Sequence, residues 1–383
     1  MGALEFQPEY AREQKVQKID MKSLADLAER IYTEREQARI MPDENITMQS
    51  LLTVGTSAGG RQPKAIIAIN RKTGEIRSGQ ISGLKNYDYC LLKFGNTQYS
   101  SAELEMAYYE LATMAGIRMM PSELYTADGN NHFITKRFDR DGERKIYTQT
   151  LAAISPDADS YEQLIAVCRK LHLPESDCQE VFRRMVFNIL ANNTDDHNKN
   201  FSFIMEEDGS WRLSPAYDIT YIIDNGGFLP NEDHCLYIRA KLRGITRDDA
   251  ILFARDNGIR RPDAIIRDVA ASLKQFRSIA TKYGVSDEWT GRVETTIIGH
   301  LKAWGEWDES ELPEFSMNGH SVSNIRMEQA YKGNYHLLVE IDGKERKFVI
   351  GKNKEEFALI EKTGLANLAP EQLKTMIEKY FFS

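Results

Sequence analysis

The chain lacks several features that would place it quickly, and each absence removes a class. No run of about eighteen apolar residues occurs, so no membrane-spanning helix is expected. Cysteine is scarce: Cys90, Cys168, Cys178 and Cys235 are the four, and none forms a CxxC pair. Cys168, His172 and Cys178 share one stretch, but their spacing matches no zinc motif, and reduced thiols in a cytoplasmic protein are the plain expectation. Positive charge is also short. The net charge of −8 argues against direct nucleic-acid binding, which needs a basic face to neutralise phosphates. The start, Met1 to Phe6, shows no basic-then-apolar leader, and Phe6 stands where a myristoylation signal wants Ser or Thr. There is no internal repeat and no long low-complexity segment.

What remains is an ordinary globular composition with readable periodicity. Leu24, Leu27 and Ile31 mark an amphipathic helix over Lys22 to Gln37. Leu51 to Val54 leads into a glycine-rich turn, Ser57-Ala58-Gly59-Gly60, and Ala65 to Ile69 reads as the strand after it. Tyr87 to Phe94 reads as another strand, with Lys93 near its end. Leu104, Ala107, Tyr108, Leu111, Ala112 and Ala115 predict a helix over Ser101 to Ala115, with Gly116 as its stop. A hairpin is expected around Asp128-Gly129. Beyond it helices predominate: Tyr161 to Leu171, Cys178 to Asn192, Arg247 to Asn257, Asp263 to Tyr283 and Glu288 to Trp304, interrupted by a hairpin of Phe201 to Met205 with Ser210 to Leu213. After a junction at Leu312-Pro313-Glu314, the strongest hairpin signal is Asp342-Gly343 between Tyr335 to Ile341 and Lys344 to Ile350. Helices are expected at Glu355 to Glu361 and Glu371 to Tyr380.

Three residues carry the chemistry. Asp195, the amide Asn200 five positions later and the second acid Asp218 have the residue types and spacing of a phosphoryl-transfer site. Asp195 would accept a hydroxyl proton, and Asn200 and Asp218 would hold Mg2+ on ATP. Such chemistry also needs a cation for the inner phosphates and a backbone cradle for the outer ones. Lys93 on a strand followed by Glu105 on the next helix meets the first need, although a strand-end lysine is more often a solvated surface residue and Glu103 competes with Glu105. Ser57, Ala58, Gly59 and Gly60 offer the cradle, with Lys64 adding charge. That turn is neither a Walker A loop nor GxGxxG, and by itself reads as a hairpin turn. Asp and Asn also cluster in loops as caps and turn formers, so of the adjacent Asp195 and Asp196 at least one should be structural. His197 reads as a phosphate contact or a loop buttress, and Lys199 as a charge on the transferring group or a solvated side chain.

At these residues the chain resembles the HipA family of bacterial serine/threonine kinases, the toxins of HipBA-type toxin–antitoxin modules. The resemblance spans roughly Leu51 to Trp304. Its motifs are Ser57-Ala58-Gly59-Gly60-Arg61-Gln62-Pro63-Lys64, Leu91-Leu92-Lys93-Phe94, the helix with Glu105, Lys136-Arg137-Phe138-Asp139-Arg140, Asp195-Asp196-His197-Asn198-Lys199-Asn200-Phe201-Ser202 and Ser214-Pro215-Ala216-Tyr217-Asp218. It implies an α+β architecture: a divergent two-lobed protein-kinase-like fold, with a small β-rich N-lobe over residues 1–150, a mostly helical C-lobe over 151–313 and a small C-terminal α+β appendage over 314–383. It implies Asp195 as catalytic base, Asn200 and Asp218 as magnesium ligands, Lys93 paired with Glu105 on the phosphates, and Lys136, Arg137 and Phe138 as the hinge against adenine. It further implies autophosphorylation of Ser57, ATP and Mg2+ as cofactors, and a helix-turn-helix antitoxin through which any DNA is met indirectly. The protein substrate implied is a translation factor such as an aminoacyl-tRNA synthetase.

Little chain precedes the glycine turn, so the N-terminal subdomain usual in such kinases is expected from a separate small protein. Two other readings stay open at this point. A small-molecule or lipid kinase shares the arrangement around Asp195, and a pseudokinase would act as a scaffold or corepressor subunit.

Overall fold

The apolar run after Pro63 forms β1 (Lys64–Ile69), which pairs antiparallel with β2 (Ile76–Ser78) on one side and β3 (Asp88–Lys93) on the other. β4 (Ser122–Ala127) and β5 (Asn130–Lys136) make the expected hairpin, turning at Gly129 with φ +81°. β5 joins β3, giving a five-stranded antiparallel sheet of order β2-β1-β3-β5-β4. The computed structural model describes residues 63–79, 84–127, 129–223, 230–307, 315–317, 320–329, 334–351 and 375–382. The helix expected at Lys22 to Gln37, the strand at Leu51 to Val54, the glycine turn Ser57-Ala58-Gly59-Gly60, the junction at Leu312 to Glu314 and the helix at Glu355 to Glu361 lie outside those residues.

Between β3 and β4 runs α1 (Ser101–Met114). Its two sides face different partners. Ala102 and Met106 pack with Phe133 of the sheet, while Leu104, Ala107, Tyr108 and Leu111 enter the large helical core. A helix buried on both sides explains why its apolar residues crowd beyond a single stripe. The Tyr108 hydroxyl donates to the Ala191 carbonyl at 2.6 Å and so fixes α1 against the loop that carries Asp195.

The chain then crosses through the short pair β6 (Arg140–Asp141) and β7 (Arg144–Lys145) into β8 (Tyr147–Thr150) and the single-turn helix α2 (Leu151–Ile154). None of these was anticipated. The strands are too short, and β8 too uniformly half-exposed, for a period to mark them, and α2 is a single turn. α3 (Tyr161–Lys170) and α4 (Glu175–Leu190) follow close to the expected bounds. β9 (Ser202–Met205) and β10 (Trp211–Leu213) form a hairpin whose inner strand pairs with β8, so one three-stranded sheet holds the segments leading to Asn200 and Asp218.

α5 (Arg247–Asp256) is closed at its start by a capping box between Thr246 and Asp249. The single helix expected over Asp263 to Tyr283 is two, α6 (Pro262–Leu273) and α7 (Phe276–Tyr283). Ser272 donates its hydroxyl back to the Val269 carbonyl, and the Gln275 N–H reaches Ser272, a tighter turn than the α-helix makes. α8 (Asp287–Ala303) packs behind, its Trp289 indole N–H donating to the Gln98 carbonyl before α1. The C-terminal strands β11 (Phe315–Met317), β12 (His320–Gln329), β13 (Tyr335–Ile341) and β14 (Lys344–Ile350) form a meander with Asp342-Gly343 at its last turn. A short helical segment, in π form over Glu378–Phe382, stacks Tyr380 on Phe348 at 4.0 Å. Among the described residues no helix is long and apolar enough to cross a membrane.

Candidate active site

Antiparallel pairing sets Lys64 directly opposite Lys93. Both are buried, at 5% and 4% exposure. Two ammonium groups side by side in a sheet repel unless acids lie near. The Lys93 ammonium donates to both the Glu105 carboxylate from α1 and the Asp218 carboxylate from the loop after β10. Burial by itself would lower the Lys93 pKa, but Asp218 and then Glu105 overcome it and hold the group above its ordinary value. Burial lowers Lys64, against the pull of Asp218. Glu105 is pushed up by burial, with Lys93 opposing. Asp218 meets the same desolvation, but Lys93 and Lys64 outweigh it and hold its carboxyl down to about 2. It is therefore an anion at any physiological pH.

Asp195 and Asp196 divide their roles by burial. The Asp196 side chain is inaccessible and accepts from the Tyr161 hydroxyl at 2.7 Å, the Cys235 N–H at 2.8 Å and the His234 ring at 2.9 Å. It is the structural acid. The Asp195 side chain is 47% exposed, with His197 Nε2 at 3.7 Å. Burial is the largest influence on Asp195 and raises its carboxyl, His197 opposing and Asp218 adding repulsion. Asn200 folds back on this loop, its amide Nδ2 donating to the Asp195 carbonyl at 2.7 Å. Its Oδ1 is thereby the atom left for a ligand.

Asn200 and Asp218 line one small cleft, together with Asn188, Asn193, Asp196 and Tyr217. Two residues at the ends of the acidic loops take left-handed backbone, Asn192 at φ +57° and Asp218 at φ +59°. Asn and Asp tolerate that region better than most residues. Asn192 is pinned there by exchanging hydrogen bonds with Ile222.

The other expected residues are placed as follows. Lys136 donates to Asp88 at 2.8 Å, and Arg137 forms a two-pronged pair with Asp139. The backbone N–H groups of Lys136 and Arg137 go to Pro121 and Tyr89, so two of the three hinge amides are already engaged. Phe138 stacks on Tyr217 with ring centres 5.5 Å apart, joining the hinge to the Asp218 loop. Lys199 is exposed, and its carbonyl accepts from the Tyr217 hydroxyl at 2.8 Å. His197 Nδ1 is buried without a hydrogen-bond partner among the described residues.

The sequence reading missed the supports. Glu180, Arg184 and Asn188 are all buried on α4. Arg184 pairs with Glu180 and donates to the Ser214 carbonyl at 2.7 Å, at the entry to the Asp218 loop. Ala216 in that loop donates to the Arg118 carbonyl at 2.7 Å, which ties it to the chain leaving α1. A signal was present: Glu180, Arg184 and Asn188 repeat every fourth residue beside the apolar stripe of α4, a polar line where a solvated face would not run.

Comparison with known proteins agrees with this architecture. The model of the HipA-like C-terminal domain matches residues 56–276, more than half of the chain. A Sinorhizobium fredii protein named "Putative kinase Y4mE" is 23% identical over 217 residues, covering 52% of this chain and 51% of its own. A Haemophilus influenzae protein named "Putative kinase" is 27% identical over 224 residues, 51% of this chain and 63% of its own. The chain thus spans between half and two thirds of these curated relatives. Among solved structures, the HipA of Shewanella oneidensis MR-1, determined with HipB and operator DNA, superposes with a TM-score of 0.57 at 17% identity, covering 80% of this chain and 76% of that one. The fold is that of a two-lobed, protein-kinase-like α+β protein, and by its central segment the chain belongs to the HipA-like C-terminal domain family.

Proposed function

We propose that the chain is an ATP- and magnesium-dependent serine/threonine protein kinase of the HipA type. The observation that carries this reading is the Lys93 ammonium held between Glu105 and Asp218, with Asp195 on the neighbouring loop. The donors fit magnesium. Asp218 supplies an ionised carboxylate and Asn200 an amide oxygen, both hard oxygen ligands on one cleft. Among the described residues no cluster of three or more His, Cys, Asp or Glu could hold a metal. That suits an ion bound by one or two side chains and the phosphates of its nucleotide rather than by a protein cage. Magnesium at Asn200 and Asp218 would neutralise phosphate charge. Lys93 and Lys64 bring two cations to the same oxygens, and Glu105 keeps Lys93 from swinging away. Asp195, half-exposed and with its carboxyl raised above the ordinary value by burial, takes the proton of the attacking hydroxyl. The hinge contact to adenine falls to Phe138 and the local carbonyls, since the Lys136 and Arg137 amides are spent.

The toxin role, an aminoacyl-tRNA synthetase as substrate, an antitoxin of the HipB kind as partner and phosphorylation of Ser57 belong to the same reading, supported by family membership and by the likeness to a HipA solved with HipB and DNA. Incubation with γ-labelled ATP and magnesium tests it. Label should enter protein in the wild type and not in Asp195→Asn, with Ser57 among the mapped sites. Equal labelling by both chains refutes the assignment of Asp195.

A further inference from the structure

The cleft beneath the two acidic loops contains a donor and an acceptor that no described residue satisfies. Arg184 is 2% exposed, and its Nη1 has no hydrogen-bond partner among the described residues. Asn193 is 3% exposed, and the same holds for its Oδ1. Both side chains line the cavity shared by Asn200 and Asp218.

The chemistry of the two orphans is set by a buried chain of hydrogen bonds. Asp196 already receives the Cys235 N–H, and its other carboxyl oxygen accepts from the Tyr161 hydroxyl at 2.7 Å. That hydroxyl oxygen then accepts from Asn188 Nδ2 at 3.0 Å. The Asn188 amide is thereby oriented, and its Oδ1 accepts from Asn193 Nδ2 at 2.9 Å. The relay leaves Asn193 Oδ1 as an unpartnered acceptor on a residue that lines the cavity. Arg184 can only donate. An anion there would meet Asp196 and Asp218, and a cation would meet the guanidinium. A small neutral molecule that both donates and accepts suits both atoms.

We infer that this cavity is a binding site for an ordered water, which accepts from Arg184 Nη1 and donates to Asn193 Oδ1. Buried waters occur where polar groups would otherwise stay unpaired, and leaving such groups bare is costly. The water joins two segments that Tyr217 also links through its hydroxyl on the Lys199 carbonyl: Arg184 holds the Ser214 carbonyl ahead of Asp218, and Asn193 begins the loop ending at Asn200. It is therefore a second tie that helps set the spacing of those loops. This second part rests on the kinase reading, whereas the water site does not.

A crystal structure of the full chain at water-resolving resolution tests the site. The expected result is one density peak within hydrogen-bond distance of both atoms. An empty cavity, or Arg184 bonded directly to Asn193, overturns the inference. In solution, water-oxygen relaxation dispersion should show one long-lived water fewer in Asn193→Leu than in the wild type; an equal number overturns it, and should that variant fail to fold, the wild-type crystal decides. For the spacing role, half-saturating magnesium in phosphoryl transfer should rise about tenfold in Asn193→Leu, as outer-shell changes at metal sites do. Unchanged half-saturation overturns that role. A wild-type chain that transfers no phosphate refutes the kinase reading and leaves the crystallographic result standing.

Discussion

Lys93 is the residue on which most charges at the site depend. Replacing it with Met leaves Glu105, only 4% exposed, without its bonded counter-charge and with Lys64 as the nearest remaining cation. Removing one partner of a buried pair costs about 3–5 kcal/mol. The urea midpoint of Lys93→Met should fall accordingly, and the deficit should be smaller in mild acid, where the already raised Glu105 can take a proton. An unchanged midpoint would show that the pair contributes nothing net. In the proposed reaction, Asp195 sets the pH dependence. It must be ionised to accept a proton, and its carboxyl lies above the ordinary value because burial outweighs His197, whereas Asp218 titrates near 2. As pH falls, Asp195 is therefore protonated first, and activity is lost through its raised pKa. His197→Gln removes the imidazole whose charge favours the carboxylate, so the acid limb of kcat/KM should move to higher pH. A pH–rate profile of the two chains checks this; a limb that stays or moves the other way is incompatible with it.

At the scale of elements, α3 and α4 matter because they hold the acidic loops from below. Tyr161 at the start of α3 links Asn188 of α4 to Asp196. Tyr161→Phe strips one donor from a buried carboxylate and should cost about 1–3 kcal/mol, read as a lower thermal midpoint. Phosphoryl transfer should fall with it, since Asp196 fixes the loop that presents Asp195. A variant as stable and active as the parent would mean the relay is idle. The elements themselves were largely legible. The 3.6 period in Leu104 to Ala115 and in Val181 to Ile189 located α1 and α4, and Asp342-Gly343 located the last hairpin. What stayed hidden had physical causes. β6 and β7 are too short, and β8 too evenly half-exposed, to show a period. The break between α6 and α7 comes from a single serine bonding back to its own helix. The pairing of Asp195 with Asn200 and Asp218 followed from spacing, but the sorting of Asp195 from Asp196 depends on His234 and Tyr161, which lie far off in sequence and carry no local mark.

Across the whole molecule, α1 is the member common to both lobes. Its Ala102 and Met106 belong to the sheet cluster, and its Leu104, Ala107 and Leu111 belong to the helical core. A shared helix makes independent melting of the lobes unfavourable, so calorimetry should give one cooperative transition for them. Ala107 is fully buried in the helical core, where added bulk has no room. Ala107→Leu should destabilise by about 1–3 kcal/mol and shift that transition as a unit. Two separate transitions, with only one moved, would contradict the shared-spine view.

One carboxylate, that of Asp218, is spoken for before any nucleotide arrives. An incoming divalent ion shares that carboxylate with an ammonium, and beyond Glu105 no described group of the bare protein offsets their repulsion. Triphosphate oxygens do, by giving Lys93 a new partner. Titrated by itself, magnesium should therefore produce almost no heat, and adding nucleotide should make the same titration strongly exothermic: the ion enters as cargo on the phosphates or hardly enters at all.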